Sequence, residues 1–438
     1  MTTTPYLSVV ATSRNDNHGG NMLRRMQIFI NGLLEQCRRH QLDAELILVE
    51  WNPPSGNPSL ADVLSWQVEG SPCVVRIIQV PPELHDQLNH SASLPLFQMI
   101  AKNVGIRRAR GQFVLATNID LLFSDELFSF IASRQLKPRA VYRLDRYDAQ
   151  SNVPLNAPLT EQLDYCAQNI LRICHKNGFT ETQHKETQRE ETSPPIELDK
   201  PLAEVLQPKW HKQVLEPAKP VLVPLRKVYQ RLFPKIVRDT ILKTIPVDVT
   251  NWLISQNLLT AQLPSALSEP NIETPLHEPL HEQEEDLSAL WQYPQLHTNA
   301  CGDFTLMSRE DWFAVRGYPE WEIFSFHLDS VLLYIAHYAG IEEIVLDDPM
   351  RMYHIEHTSG WTPETERTQI LNKRLALLKV PQLSGEQFDA IVQLMHQLNK
   401  PLIFTGENWG MIDHVLPETT ITSERDRTST ISVSTNAN

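Results

Sequence analysis

Asn118 and Asp120 are the first residues whose types and spacing could do chemistry. They stand two apart, at the end of the apolar run Phe113-Val114-Leu115-Ala116-Thr117. At a strand end, side chains two apart can point the same way. An amide oxygen and a carboxylate placed so are hard ligands, suited to magnesium or manganese bridging phosphate oxygens. A plain turn after a strand would use the same residue types. Upstream, Asn103 and Arg107 are four apart in a helical stretch and share a face. Thr12 and Arg14 close a first β-branched run, and Glu50 a second. Downstream, Asp329 lies near the start of an amphipathic stretch, where a carboxylate serves either as an N-cap or as a proton acceptor. His354 and His357 form His-x-x-His, a metal pair whose other ligands must come from elsewhere in the chain. Two surface histidines beside Glu356 are the alternative.

The elements that must position these residues follow from periodicity. Leu7–Thr12, Ala44–Trp51, Cys73–Val80 and Gly111–Thr117 read as buried strands. Between the first two, Met22, Met26, Phe29, Ile30, Leu33 and Leu34 recur at helical spacing, and a second helix is expected from about Pro95 to Arg108. Strand, helix, strand, a non-helical link, strand, helix, strand implies a largely parallel α/β sheet. Such sheets collect ligands at the carboxyl ends of their strands, where the polar residues above stand.

Composition narrows the function classes. Lys and Arg number 39 against 53 Asp and Glu, a net charge of -14, which argues against nucleic acid as the main partner. Neither GxxxxGK[ST] nor GxGxxG occurs. The five cysteines (Cys37, Cys73, Cys166, Cys174 and Cys301) are odd in number and lack CxxC spacing, as expected of a reducing compartment. No run approaches a membrane span and the first residues carry no secretory pattern, so the sequence reads as cytoplasmic.

The segment Ala101-Lys102-Asn103-Val104-Gly105-Ile106-Arg107-Arg108-Ala109-Arg110-Gly111-Gln112-Phe113-Val114-Leu115-Ala116-Thr117-Asn118-Ile119-Asp120 resembles the A-x-N-x-G…D-x-D stretch of GT-A glycosyltransferases, especially family-2-like and polypeptide-GalNAc-transferase-like enzymes. A second segment, Gly302-Asp303-Phe304…Arg309…Phe313…Gly317-Tyr318-Pro319-Glu320, is similar to their acceptor-side stretch. The resemblance implies a GT-A (Rossmann-like) α/β fold with a mixed, mostly parallel sheet flanked by helices, and transfer of a sugar from a nucleoside diphosphate, most readily UDP, to a hydroxyl. The acceptor would be a glycan, a lipid-linked molecule or a small molecule. Thr12, Arg14, Glu50, Asn103, Arg107, Asn118 and Asp120 would line the nucleotide-sugar site, with Glu50 on the ribose or base and Trp51 as a wall. Asp120 with His354 or His357 would hold Mn2+ or Mg2+. Asp329 would be the base, implying inversion. Asn118 departs from the motif, which has an acid there, and so weakens the expected metal site. A catalytically inactive GT-A relative that binds nucleotide or glycan, or acts as a scaffold, is the alternative.

Four zones are expected. Residues 1–150 form a nucleotide-sugar-binding half, 151–290 a Pro- and charge-rich, largely helical or irregular insertion, 291–412 an acceptor-side half with C-terminal helices, and 413–438 a disordered tail. Within the insertion, residues 221–245 mix Leu, Val and Ile with six cations and one acid. That stretch reads either as a helix packed on the domain or as a peripheral contact with the inner membrane face.

Overall fold

The computed structural model describes residues 4–17, 19–182, 293–357 and 364–422. In chain order the elements are β1 (Leu7–Ser13), α1 (Met22–Arg39), β2 (Ala44–Trp51), α2 (Leu60–Val63), β3 (Cys73–Val80), α3 (Pro82–His85), α4 (Gln98–Arg107), β4 (Phe113–Thr117), β5 (Leu121–Phe123), α5 (Asp125–Ala132), β6 (Ala140–Leu144) and β7 (Arg146–Ala149). They continue with α6 (Leu159–Gln168), β8 (Ile170–His175), β9 (Gly178–Glu181), β10 (Phe304–Ser308), α7 (Arg309–Val315), α8 (Leu328–Tyr338), β11 (Glu342–Leu346), β12 (Met352–Ile355), α9 (Glu364–Leu378), α10 (Gly385–Leu398) and β13 (Glu418–Ile421).

Two sheets result. The larger runs β11-β6-β10-β4-β1-β2-β3-β13 and the smaller β5-β12-β7-β8-β9. In the larger sheet β3, β2, β1 and β4 are parallel neighbours, while β10 and β13 run against theirs. Every residue of β1 and β2 is buried, as strands covered on both faces require. Helix α1 covers one face through its Met22, Met26, Phe29, Ile30, Leu33 stripe, and α4 covers the other. Gly105 lets α4 lie against the sheet, because a Cβ there would overlap Val10 and Val49. The molecule is thus an α/β protein with mixed sheets flanked by helices, compatible with a Rossmann-like fold.

Two expected boundaries move. The segment 151–182 is not part of an irregular insertion: it forms α6, and β8 and β9 build one edge of the smaller sheet, with Tyr147 opposite Ile173 and Cys174 opposite Phe179. The tail begins later than expected, because Glu418–Ile421 pairs with β3 and Glu418 binds the buried Arg76 guanidinium, with Nε 2.7 Å from Oε1. Four residues sufficed there because a β-branched stretch met an open sheet edge. The 221–245 stretch lies outside the described residues. All five cysteines are free thiols. Among the described residues, no helix is long and apolar enough to cross a membrane.

Candidate functional site

The larger sheet's carboxyl edge gathers the polar residues. Strand β4 ends at Thr117, whose hydroxyl donates to the Asp303 carbonyl at 2.7 Å. The Asn118 amide is held on both sides: its oxygen accepts from Gln98 Nε2 at 2.8 Å, and its nitrogen donates to Asp303 Oδ1. Asp120 is 7% exposed and accepts an ion pair from Arg25 Nη1 at 2.7 Å on Oδ2. Strand β12 brings two imidazoles to the same oxygen, His354 Nε2 at 3.7 Å and His357 Nε2 at 3.6 Å. Asp120, His354 and His357 offer ligand atoms that all lie within 4.8 Å of one another. Ligands about 2.1 Å from one ion stand roughly 3.0–3.5 Å apart, so these donors need only a small contraction to share a metal. Nδ1 of His357 is buried without a hydrogen-bond partner.

The metal-fitting group is one arc of a polar circuit that the backbone closes between Asn118 and Asp120. His354 Nδ1 meets Asp148 Oδ1 at 3.0 Å, and Asp148 also binds Arg146 Nε at 2.8 Å and Arg172 Nη2 at 2.5 Å. Arg146 Nη1 then reaches Asp303 Oδ2 at 2.7 Å, and Asp303 returns to Asn118. Strands of both sheets are tied by this circuit. A carboxylate on the far nitrogen of a histidine fixes the ring so that its other nitrogen faces a metal.

Electrostatics set the two imidazoles apart. Burial alone would push His354 down, but Asp120 and Asp148 outweigh it and raise it to about 10. Burial dominates at His357 and lowers it to about 4. Burial pushes the Asp120 carboxyl upward, yet His354, His357 and Arg25 hold it well below the usual carboxylate range. Without metal, His354 is therefore an imidazolium and His357 a neutral ligand at neutral pH. A metal would displace the proton on His354 Nε2.

A second acid stands beside this group. Asp329 opens α8, accepts its neighbour's Ser330 N–H at 2.9 Å, and packs on Gly302, where a Cβ would lie 2.8 Å from Oδ2. Gly302 precedes Asp303, so Asp329 packs one residue along the chain from a member of the circuit. Lys102, fully buried on α4, donates to the Gly302 carbonyl at 2.6 Å. Burial lowers its ammonium to about 8 against the pull of Asp303 and Asp329. Ser325, four residues before Asp329, donates to Gln98 Oε1 at 3.2 Å, and Gln98 holds Asn118.

The other expected site residues are placed less openly. Thr12 donates to the Val49 carbonyl at 3.1 Å, and Glu50 accepts the Leu60 N–H at 2.9 Å. Both are buried at the carboxyl ends of β1 and β2, and burial raises the Glu50 carboxyl. Arg14 pairs with Asp16 at 3.5 Å, and its Nε is buried without a hydrogen-bond partner. Three expectations need correction. Asn103 is buried and fully used, donating to Tyr318 O and Glu320 Oε1 and accepting from Tyr318 N, so it ties α4 to the 318–320 turn. Arg107 sits at the far end of α4, 4.9 Å above both Phe313 and Trp409, away from the strand ends. The shared face of these two residues packs on protein. Trp51 is core rather than pocket wall, its indole N–H bonded to His85 Nδ1 at 2.9 Å.

Arg25, Asp148, Arg146, Arg172, Asp303 and Lys102 were not singled out by the sequence. One signal pointed to Arg25: it falls on the apolar stripe of α1, between Met22 and Met26, where a charge must find a buried partner. The others come from strands far apart in the chain, and nothing local marks them. No protein-family model matches the chain, and no curated protein matches it.

Proposed function

We propose that the chain is a GT-A-type glycosyltransferase that moves a sugar from a nucleoside diphosphate, UDP foremost, to an acceptor hydroxyl. The observation that carries the reading is the convergence of Asp120, His354 and His357 at the end of β4, next to Asn118 and with Asp329 packed one residue along the chain from a member of the circuit. Asp120 and the two imidazoles would hold the metal. Two nitrogens and one carboxylate suit Mn2+ better than Mg2+, which prefers oxygen ligands. When bound, the ion supplies positive charge for the departing diphosphate. Asn118 would orient the donor through hydrogen bonds, since its amide contributes no charge. Glu50 and Thr12 would border the nucleoside end, and Arg14 the phosphates. Asp329 would take the acceptor's hydroxyl proton as its oxygen attacks the anomeric carbon. The bond from that carbon to the diphosphate oxygen breaks, nucleoside diphosphate leaves, and configuration inverts.

A second reading is a nucleotide- or glycan-binding relative without turnover. Asn118 in the place of an acid favours it, as does Arg25 already seated on Asp120. Nucleotide release from a panel of UDP- and GDP-sugars with Mn2+ tests both. Metal-dependent release that Asp120→Ala and Asp329→Ala abolish supports the enzyme. Equal background in all three proteins refutes it, and donor binding without release favours the second reading. A cytoplasmic enzyme acting on a glycan, lipid-linked or small-molecule acceptor is the setting this proposal assumes.

A further inference from the structure

After Glu364 and Glu366 in its first turn, the rest of α9 breaks the charge pattern of the chain. The chain carries a net -14, yet between residues 367 and 379 the sequence holds Arg367, Lys373, Arg374 and Lys379 and no acid. Leu375 is buried and Leu371 half-buried, and both pack on the core. These residues, four apart, define the inward face. The outward face carries Ile370 at 57% exposure and Leu377 at 84%, one heptad apart, with Leu378 at 40% on its flank. Lys373 and Arg374 fall between Ile370 and Leu377 and are exposed, as is Lys379. Among the described residues none of these three cations lies within 4.0 Å of a carboxylate. A solvated helix face would carry acids and amides in place of Ile and Leu, and a helix paired to this acidic protein's own surface would have its cations engaged. Aliphatic side chains ringed by unengaged cations match a helix lying flat among anionic lipid headgroups.

Its position adds to the argument. The chain leaving α9 is fixed to the strand-like stretch before α8: Phe324 N–H donates to the Pro381 carbonyl at 2.8 Å, and Phe324 bridges Gln382. Two residues on, Phe326 is exposed at 43%, three residues before Asp329. We infer that the outer face of α9 docks on an anionic bilayer, with the segment leading to Asp329 at the same edge. The inference goes beyond the proposed enzymatic reading and does not depend on it.

Flotation of the full chain tests it, with vesicles of phosphatidylcholine alone and of phosphatidylcholine mixed with phosphatidylglycerol. Wild type is expected to float with the anionic vesicles only and to be released by added salt. The double variants Ile370→Gln/Leu377→Gln and Lys373→Glu/Arg374→Glu are each expected to weaken this binding about tenfold or more. Both alter exposed side chains, and unchanged circular dichroism and melting confirm their folding. Three results would overturn the inference. Wild type could ignore both vesicle types, which would deny the face a lipid role. It could bind neutral and anionic vesicles alike. It could bind anionic vesicles as well after either double substitution, which would move the contact elsewhere, such as to residues 221–245.

Discussion

The larger sheet carries a buried ionic network at each end, and the two are built to opposite ends. At the amino edge, Glu45 accepts from the Ser8 hydroxyl and the Arg110 N–H, each at 2.6 Å, and pairs with Arg76 at 2.8 Å. Arg76 spends its remaining donors on Glu418 and the Arg108 carbonyl. No imidazole takes part, and none of these side chains has an unpaired buried atom. Such a network can only hold strands together. At the carboxyl edge two imidazoles crowd one carboxylate oxygen, an imidazole nitrogen is left without a partner, and a buried ammonium makes one hydrogen bond. Full satisfaction marks a joint. Two imidazoles and a carboxylate gathered at one point make a group that could hold a metal ion.

The contrast can be broken in four ways. Glu45→Ala comes first: it leaves Arg76 only Glu418 as a carboxylate and takes the acceptor from the Ser8 hydroxyl and the Arg110 N–H, and it should cost about 2–4 kcal/mol in a denaturant melt while leaving Mn2+ affinity unchanged. A melt within about 0.5 kcal/mol of wild type would deny the amino-edge network its structural role. Next, Gly302→Ala pushes a methyl against Asp329 Oδ2 and, on the proposed glycosyltransferase reading, should lower nucleotide-sugar turnover roughly 100-fold with donor affinity kept. Unchanged turnover would remove Asp329 from the chemistry. His357→Ala takes one donor from the metal group and should weaken Mn2+ binding about 10- to 100-fold by calorimetry, with little change in melting. Wild-type affinity would place any metal elsewhere.

The remaining test is a stability profile with two opposed limbs in the metal-free protein. His354 is raised from 6.5 to about 10, so its contribution is complete below 6.5 and is lost as pH climbs through the folded value. Lys102 is lowered from 10.5 to about 8, so there the unfolded chain binds more protons and stability rises between those values. Urea melts across this range should show the falling limb vanish in His354→Asn and the rising limb vanish in Lys102→Met. Loss of neither limb would separate both groups from the ionic network.

The sequence disclosed the sheet because β1 to β4 are apolar on both faces and need no partner to be recognised. It disclosed Asp120, His354 and His357 because each stands at a strand end, where polar residues break an apolar run. Asn103 and Arg107 misled for a physical reason. Helical spacing says that two side chains share a face, but not which body that face meets, and here it meets the 318–320 turn and Trp409. Asp148 and Asp303 were hidden because their role depends on pairing between strands some 150 residues apart, a relation that no local pattern encodes. Residues 170–181 were misassigned because their strands, half-buried along β8 and mostly exposed along β9, lack the apolar density of the central ones.

The flanks of residues 183–292 have a bearing on how this protein could be shortened. In sequence, 183–292 joins the β8–β9 hairpin that supplies Arg172 to the segment leading to Asp303, and each flank is held by its own contacts: Thr182 on the Leu171 carbonyl, Tyr293 on Asp389 and Tyr334. An engineer replacing that stretch with a brief linker would therefore have to leave Tyr293 on Tyr334 and Asp389, because a tether pulled too tight there would draw on the hydrophobic core itself.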